Sequence, residues 1–404
     1  MLYRTQKDFE KFKCIADKCP KSCCVGWQIV IDDDSLIKYQ QTTSDFGSRL
    51  QSSIDYSQSC FKQNHHRCSM LNDNGLCDLQ SALGEDYLCD TCRLYPRHTE
   101  EFLDIRERAL SLSCPEAVRM LLEPHYDFAV SESLDDTSDD EDEFEDFDFI
   151  LFDKLEFARD KMLEITADKS IDFQARMDLI IIMAYNLQLL FDEGEIFEMD
   201  SIVEKVLNLL DEKQKTNPNN FFSTQSIDGI KASTDNSIST HETNISLENN
   251  LSSDECNNYT YSNNFPVVKF RSLAYLRDSL EVLIDMEVTE EAWRDAVVAC
   301  QNFWKDKTES SDEWQAAMHP AADLEFAFEK VLKSMLFTYF CGAVYDGQIF
   351  ARAMIAVQSV RWLIMLNHLA KEDALPSTIY LYSREVEHSD INVNSLISFF
   401  EAEL

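Results

Sequence analysis

Apolar residues along this chain fall into two regimes, and the change comes near residue 150. From Phe149 to Ile165 the positions Phe152, Leu155, Phe157, Met162 and Ile165 recur at three- and four-residue spacings, the signature of a helix with one apolar face. Arg176–Glu193 carries Met177, Ile180, Ile181, Tyr185, Leu187, Leu190 and Phe191, apolar on most sides, so this helix is expected to be buried. Ser201–Lys213 predicts a third helix, and Val267–Met286, Thr289–Asp306, Asp323–Val344 and Gln348–Lys371 predict four more, with Gly342 the one breaker inside them. Strand signals are few: Gln28–Ile31 and Thr378–Tyr382.

The expected fold class is therefore mostly α, a cysteine-rich cluster-binding N-terminal domain followed by an α-helical C-terminal domain. Residues 1–122 read as the cysteine domain, 123–149 as an acidic linker and 150–404 as the helical domain. Residues 135–148 hold ten acids and no base, and like charges that dense stay solvated. At 215–264 Asn, Ser and Thr dominate, which predicts a disordered insert.

Composition narrows the function. The formal charge of −38 over 404 residues repels phosphate backbones, so nucleic acid is not expected as a partner, whereas a lysine-rich protein surface is compatible. The N-terminus lacks a secretory signal, and the longest apolar run, Met354 to Leu366, is interrupted by Gln358 and Arg361 and too short to span a bilayer. No membrane is expected, and the expected compartment is a reducing cytoplasm.

Ten of the 13 cysteines lie in the first 114 residues. In a reducing compartment that density favours metal or cluster ligation over disulfides, because thiolates are soft, anionic donors. The groups are Cys14, Cys19, Cys23 and Cys24, then Cys68, Cys77, Cys89, Cys92 and Cys114. Only Cys89 and Cys92 form a C-x2-C pair, so a zinc ribbon fits poorly. Irregular cysteine-only spacing suits iron–sulfur better, with zinc the alternative metal.

These residues also carry a resemblance. Phe12-Lys13-Cys14 through Cys24-Val25-Gly26-Trp27, Arg67-Cys68 to Cys77, Cys92-Arg93-Leu94-Tyr95-Pro96-Arg97, Ser111 to Pro115, and Tyr382 to Asn392 resemble the flagellin lysine-N-methylase family. The resemblance implies a cysteine-rich zinc- or iron-chelating N-terminal domain, a helical C-terminal region, an iron–sulfur cluster of the 4Fe-4S type and S-adenosylmethionine. It implies Cys14, Cys19, Cys23, Cys24, Cys68, Cys77, Cys92 and Cys114 as ligands, while Cys60 and Cys89 are extra. Flagellin would be the protein substrate.

Methylating lysine requires a deprotonated amine, whose unperturbed pKa is about 10.4. Glu385, Glu387 and His388 are the candidate catalytic residues, and Trp27 and Arg97 the candidate cofactor contacts beside the ligand cysteines. No G-x-G occurs among the eight glycines, which excludes a Rossmann methyltransferase, and Gly26 stands where a radical-enzyme C-x3-C-x2-C motif would need cysteine. The alternative function is a non-enzymatic metal-chelating or redox-sensing protein with a helical interaction domain.

Overall fold

The computed structural model describes residues 1–135, 147–216, 265–288, 291–370 and 373–404. The expected insert at 215–264, with Cys256, falls outside the described residues but for the end of one helix at Thr216, as does most of the acidic run.

Two central helices, α3 (Phe173–Asp192) and α8 (Ile349–Leu369), are buried on nearly every side and pack on each other. Around them stand α2 (Phe149–Ala167), α4 (Met199–Thr216), α5 (Leu273–Asp285), α6 (Glu291–Lys305), α7 (Ala322–Tyr339), α9 (Leu375–Glu387) and α10 (Asp390–Glu401). Their starts follow capping chemistry: Asp148 accepts from the Leu151 amide, Asp172 from the Gln174 and Ala175 amides, Ser272 from Tyr275 and Ser389 from Asn392. By length and composition α8 could cross a membrane, contrary to the expectation from its apolar run, but 94% of that window is buried inside the fold.

Two expected elements differ. The helix predicted over Asp323–Val344 ends at Tyr339, and Phe340–Gly342 forms a tight turn. A Cβ on Gly342 would meet the Arg352 guanidinium at 2.6 Å, so a larger residue there would have to displace that side chain. Thr378–Tyr382, expected as a strand, lies inside α9, where Pro376 occupies the first turn and supplies a helical φ. At Gln28–Ile31 the chain makes only an isolated bridge from Val30 to Cys60.

A four-stranded sheet is the main feature the periodicity did not predict. Strands β1 (Leu2–Gln6), β2 (Arg97–Phe102), β3 (Ile105–Leu110) and β4 (Val130–Leu134) lie in the order β2-β3-β1-β4. β1 runs parallel to β3, with Leu2 opposite Ile105, and antiparallel to β4, with Leu2 opposite Leu134. The stretch expected as a linker from 123 thus begins as an edge strand. Buried Glu107 on β3 pairs with buried Arg159 on α2, and Phe102, Ala109 and Leu112 join the same apolar core as the helices. The sheet and the helical body therefore share one core.

The cysteine-bearing stretch is built differently. Its longest helix is Asp33–Gln40, 8 residues, and its strands are two-residue ribbons at Ile54–Asp55 with Cys60–Phe61 and Gln63–Asn64 with Arg67–Cys68. It has a small core of its own around Ile29, Ile31, Tyr39, Leu50, Phe61 and Met70, into which Cys68 and Cys89 are packed.

Candidate functional site

The site is assembled where α9 meets the cysteine loops. α9 packs on α8 and α10 and on the short helix α1 (Pro115–Leu121), which begins directly after Cys114. That packing carries Arg384 and His388 from the far end of the chain to the Cys23–Cys24 loop, and Glu387 to Ser111. Arg384 is 2% exposed and its Nη2 donates to the carbonyls of Val25 at 2.6 Å and Ser22 at 3.4 Å.

The His388 ring stacks on Trp27, with centroids 4.5 Å apart and planes at 19°. Tyr95 leans on both rings at 5.6 and 5.7 Å. Trp27 Nε1 donates to the Cys23 carbonyl, which holds the indole against the loop. Burial, with Arg384 nearby, lowers the His388 pKa to about 4, so the imidazole is neutral at physiological pH, and its Nε2 is buried without a hydrogen-bond partner.

Glu387 keeps some exposed surface as a residue, but its carboxylate is enclosed. It accepts from Ser111 Oγ. Burial raises its pKa, against the opposing pull of Ser111 and His98. From Ser111 the contacts continue to Ser113 at 2.5 Å and from Ser113 to the Tyr95 hydroxyl at 3.0 Å. Glu387, made more basic by burial, heads this polar chain, while His388 stands outside it with a neutral ring and an unpartnered Nε2, so the carboxylate is the stronger proton acceptor of the two.

The remaining candidates sit elsewhere. Glu385 is 2% exposed, and at roughly 100° per residue it faces the other side of α9 from Glu387. Arg97 Nη2 donates to the Phe12 carbonyl at 3.1 Å, and its guanidinium lies over the Phe9 and Phe12 rings. It braces the turn that precedes Cys14 and does not join the Trp27–His388 stack.

The thiols fall into two neighbouring sets that influence one another. The Cys23 thiol bonds with Cys24, which pushes Cys23 up and pulls Cys24 down to about 7; Cys14 and Cys114 act on Cys23 as well. Cys92 likewise bonds Cys89, which raises Cys92 and lowers Cys89, with Cys23 and Cys24 acting on Cys92. Burial raises Cys19 and Cys77, and takes Cys68 to about 12 and Cys114 to about 11. All the described cysteines are free.

A bound metal would reverse these upward shifts, since metals ligate the thiolate. The donor chemistry suits such a group in part: all eight expected ligands are free thiols, and the direct thiol contacts are Cys23 with Cys24 and Cys92 with Cys89. Among the described residues, however, no three or more His, Cys, Asp or Glu side chains are close enough to form a coordination shell. Cys89, read as extra, is coupled to Cys92; the C-x2-C spacing was the signal for it. Ser111 and Ser113 had no comparable signal, because they matter only through what folds against them.

The profile of the FliB lysine N-methylase C-terminal domain matches residues 159–404. This chain belongs to the FliB lysine N-methylase family. The matched range holds Arg384, Glu385, Glu387 and His388. Two similar curated proteins are both described as lysine-N-methylase: one from Salmonella typhimurium, 29% identical over 133 residues, and one from Salmonella choleraesuis, 30% identical over 132 residues. Each alignment covers 30% of this FliB-family chain and only 33% and 32% of the respective relatives. The flagellar biosynthetic protein FliU of Salmonella muenchen is 28% identical over 123 residues, 28% of this chain and 71% of that protein. No solved structure matches.

Proposed function

We propose that this FliB-family protein is a cytoplasmic lysine methyltransferase that methylates surface lysines of flagellin, using S-adenosylmethionine and a thiolate-held iron–sulfur centre. The observation that carries the reading is the delivery of His388 and Arg384, inside the family-matched region, onto Trp27 and the Cys23–Cys24 loop, with Glu387 beside them on Ser111. The flagellar name of the FliU relative supports the choice of substrate, and the family supports lysine as the acceptor.

S-adenosylmethionine supplies an electrophilic methyl group on a sulfonium. The protein's own task is to bring a lysine amine to it without its proton and in line with the methyl–sulfur bond. Glu387, whose carboxylate burial makes a stronger base, is assigned to accept the ammonium proton, and His388, neutral and with Nε2 unpartnered, to accept a hydrogen bond from the amine and hold it in place. Trp27 offers a flat apolar face beside the loop, and desolvation there lowers the amine's affinity for its proton. Arg97 acts at one remove, by holding Phe12 and the turn leading to Cys14. Glu385, buried on the other face of α9, is given a positioning role. The protein's strong negative charge favours approach of a lysine-bearing surface.

The coupled thiol pairs also fit a second reading, a metal-chelating or redox-sensing protein with no transferase activity. Equilibrium dialysis of the intact, anaerobically prepared chain against labelled S-adenosylmethionine separates the two. Saturable binding near one per chain, weakened at least tenfold in Trp27→Ala, is the expected result. No retention by metal-replete protein would leave the chelating reading.

A further inference from the structure

Strand β4 pairs with β1 on one side, and among the described residues no strand pairs with its other side. Asp135 and Met1 exchange backbone hydrogen bonds at 3.0 Å, and the Lys7 amide donates to the Ala129 carbonyl at 2.8 Å. Two-residue alternation from those positions turns the N–H and C=O groups of Val130, Glu132 and Leu134 to the open side. Every residue of the strand is exposed, and Val-Ser-Glu-Ser-Leu contains neither the lysine nor the proline that discourages a further strand.

Beside that edge lies a cavity of about 530 Å³, walled by β4, α2 and α7. Glu132 stands opposite Arg4 in the register, so both side chains lie on the sheet face that meets α2, where Arg4 pairs with Glu156. Glu156, Asp160 and Glu164 line the cavity from one face of α2, at four-residue spacing. Phe128, Leu163 and Phe337 give it an apolar lining.

Its acids outnumber the bases free to answer them. Arg159 and Lys333 also line the cavity, but Arg159 is paired with Glu107 and Lys333 with Glu329. Arg4 is shared among Glu107, Glu132 and Glu156. Glu164 has Lys161 at 2.8 Å, whereas Asp160 makes no ion pair among the described residues and feels Arg159 and Arg4 only at a distance. Burial raises the pKa of both Glu156 and Asp160 against the pull of those arginines, so a further cation would stabilise each carboxylate.

We infer that the open edge of β4 and the acidic cavity beside it dock an extended, lysine-bearing segment of a protein substrate as an added strand. The segment's backbone pairs with Val130, Glu132 and Leu134, and its alternate side chains turn towards α2. A lysine there lays its methylenes along the apolar lining and brings its ammonium to Asp160 and Glu156. The edge selects extended polypeptide, and the excess of carboxylates selects its cations. None of these residues belongs to the α9 site, so this is a docking surface and not a second catalytic centre. That the segment belongs to the substrate rests on the proposed function; the binding itself does not.

The test uses the intact chain without S-adenosylmethionine, so that binding is read apart from transfer. The probe is a labelled synthetic peptide of alternating lysine and threonine, followed by fluorescence anisotropy. Its controls carry glutamate for lysine, or N-methylated amides along one edge of the backbone. Wild type is expected to bind the lysine peptide saturably, with both controls weaker by about tenfold or more. Asp160→Lys is expected to weaken binding by about tenfold, and Leu134→Pro, which removes one outward amide, by about threefold. Thermal unfolding verifies that both variants fold. Bound peptide should also slow hydrogen exchange at the Val130, Glu132 and Leu134 amides.

Wild-type affinity in Asp160→Lys, or equal affinity for the glutamate peptide, would overturn the inference. Full binding of the N-methylated peptide with no protection on β4 would do the same, because it describes a cation site without an added strand. If Asp160→Lys does not fold, hydrogen exchange of wild type with each peptide decides alone. Flagellin left unmethylated by protein that binds the lysine peptide would sink the proposed function and leave the docking surface standing. Methylated flagellin with no peptide binding would sink the docking surface alone.

Discussion

The helical body and the cysteine-bearing stretch solve the problem of staying folded in different ways. The body buries α3 and α8 on all sides and ties its few buried charges in matched pairs such as Arg361 with Asp178. The stretch from Cys14 to Cys92 has short elements, a small apolar core and free thiols packed into it. A core that small contributes little, and natural domains of that kind rely on metals or disulfides. The lesson is that the body is held by its own packing, whereas the stretch has little apolar core to hold it. α9 is the link between them, and it is there that the chemistry is assigned.

Removing the metal should break the comparison most sharply. Chelation under reducing conditions is expected to abolish methyl transfer and to erase hydrogen-exchange protection across residues 14–92, while α3 and α8 keep theirs. Equal protection with and without metal would contradict the division. The next largest effect is within the body and its sheet. Arg159→Met leaves Glu107 buried without its partner and should cost about 3–5 kcal/mol in urea unfolding, from the general cost of breaking a buried pair.

A smaller effect tests the seam by pH. His388 is held to about 4 by burial, against an unfolded value of about 6.5. Between those values the unfolded chain binds the proton and the folded chain does not, so stability falls as pH drops from about 6.5 towards 4. Glu387, raised by burial, acts with the opposite sign, because its folded form keeps a proton the unfolded form releases. His388→Phe should therefore flatten the acid-side loss of melting temperature and leave stability above about pH 7 unchanged in its slope. The smallest effect is local: Ser272→Ala removes the cap of α5 and should lower stability by about 1 kcal/mol without touching transfer.

Much of the body was legible because burial there follows periodicity. The helices expected at Phe149–Ile165 and Arg176–Glu193 stand at Phe149–Ala167 and Phe173–Asp192, with Asp148 and Asp172 as their caps. The sheet escaped because β3, Ile-Arg-Glu-Arg-Ala-Leu, hides a buried strand behind charges: Arg106 and Glu107 are both buried, and the partners that explain Glu107, Arg159 and Arg4, are 52 residues or more away in sequence. β1 and β4 are largely polar and gain their structure from pairing with each other.

The site was half legible for the same reason. Arg384, Glu387 and His388 stood out as a charged run, but such a run normally signals a solvated helix end, and nothing local says it will be buried. Thr378–Tyr382 looked extended because β-branched and aromatic residues crowd a short span, and packing against α8 overrode that preference. Arg97 and Glu385 were singled out by adjacency in sequence, and adjacency did not carry them into the Trp27–His388 stack.

The most direct test of the account is the intact mass of purified flagellin after anaerobic incubation with metal-replete protein and S-adenosylmethionine. The account predicts a ladder of one-methyl increments that needs the cofactor, disappears in Cys23→Ala and falls by at least tenfold in His388→Phe. An unchanged flagellin mass with metal and cofactor verified, or full activity in His388→Phe, would contradict the placing of methyl transfer at the seam between α9 and the thiol loop.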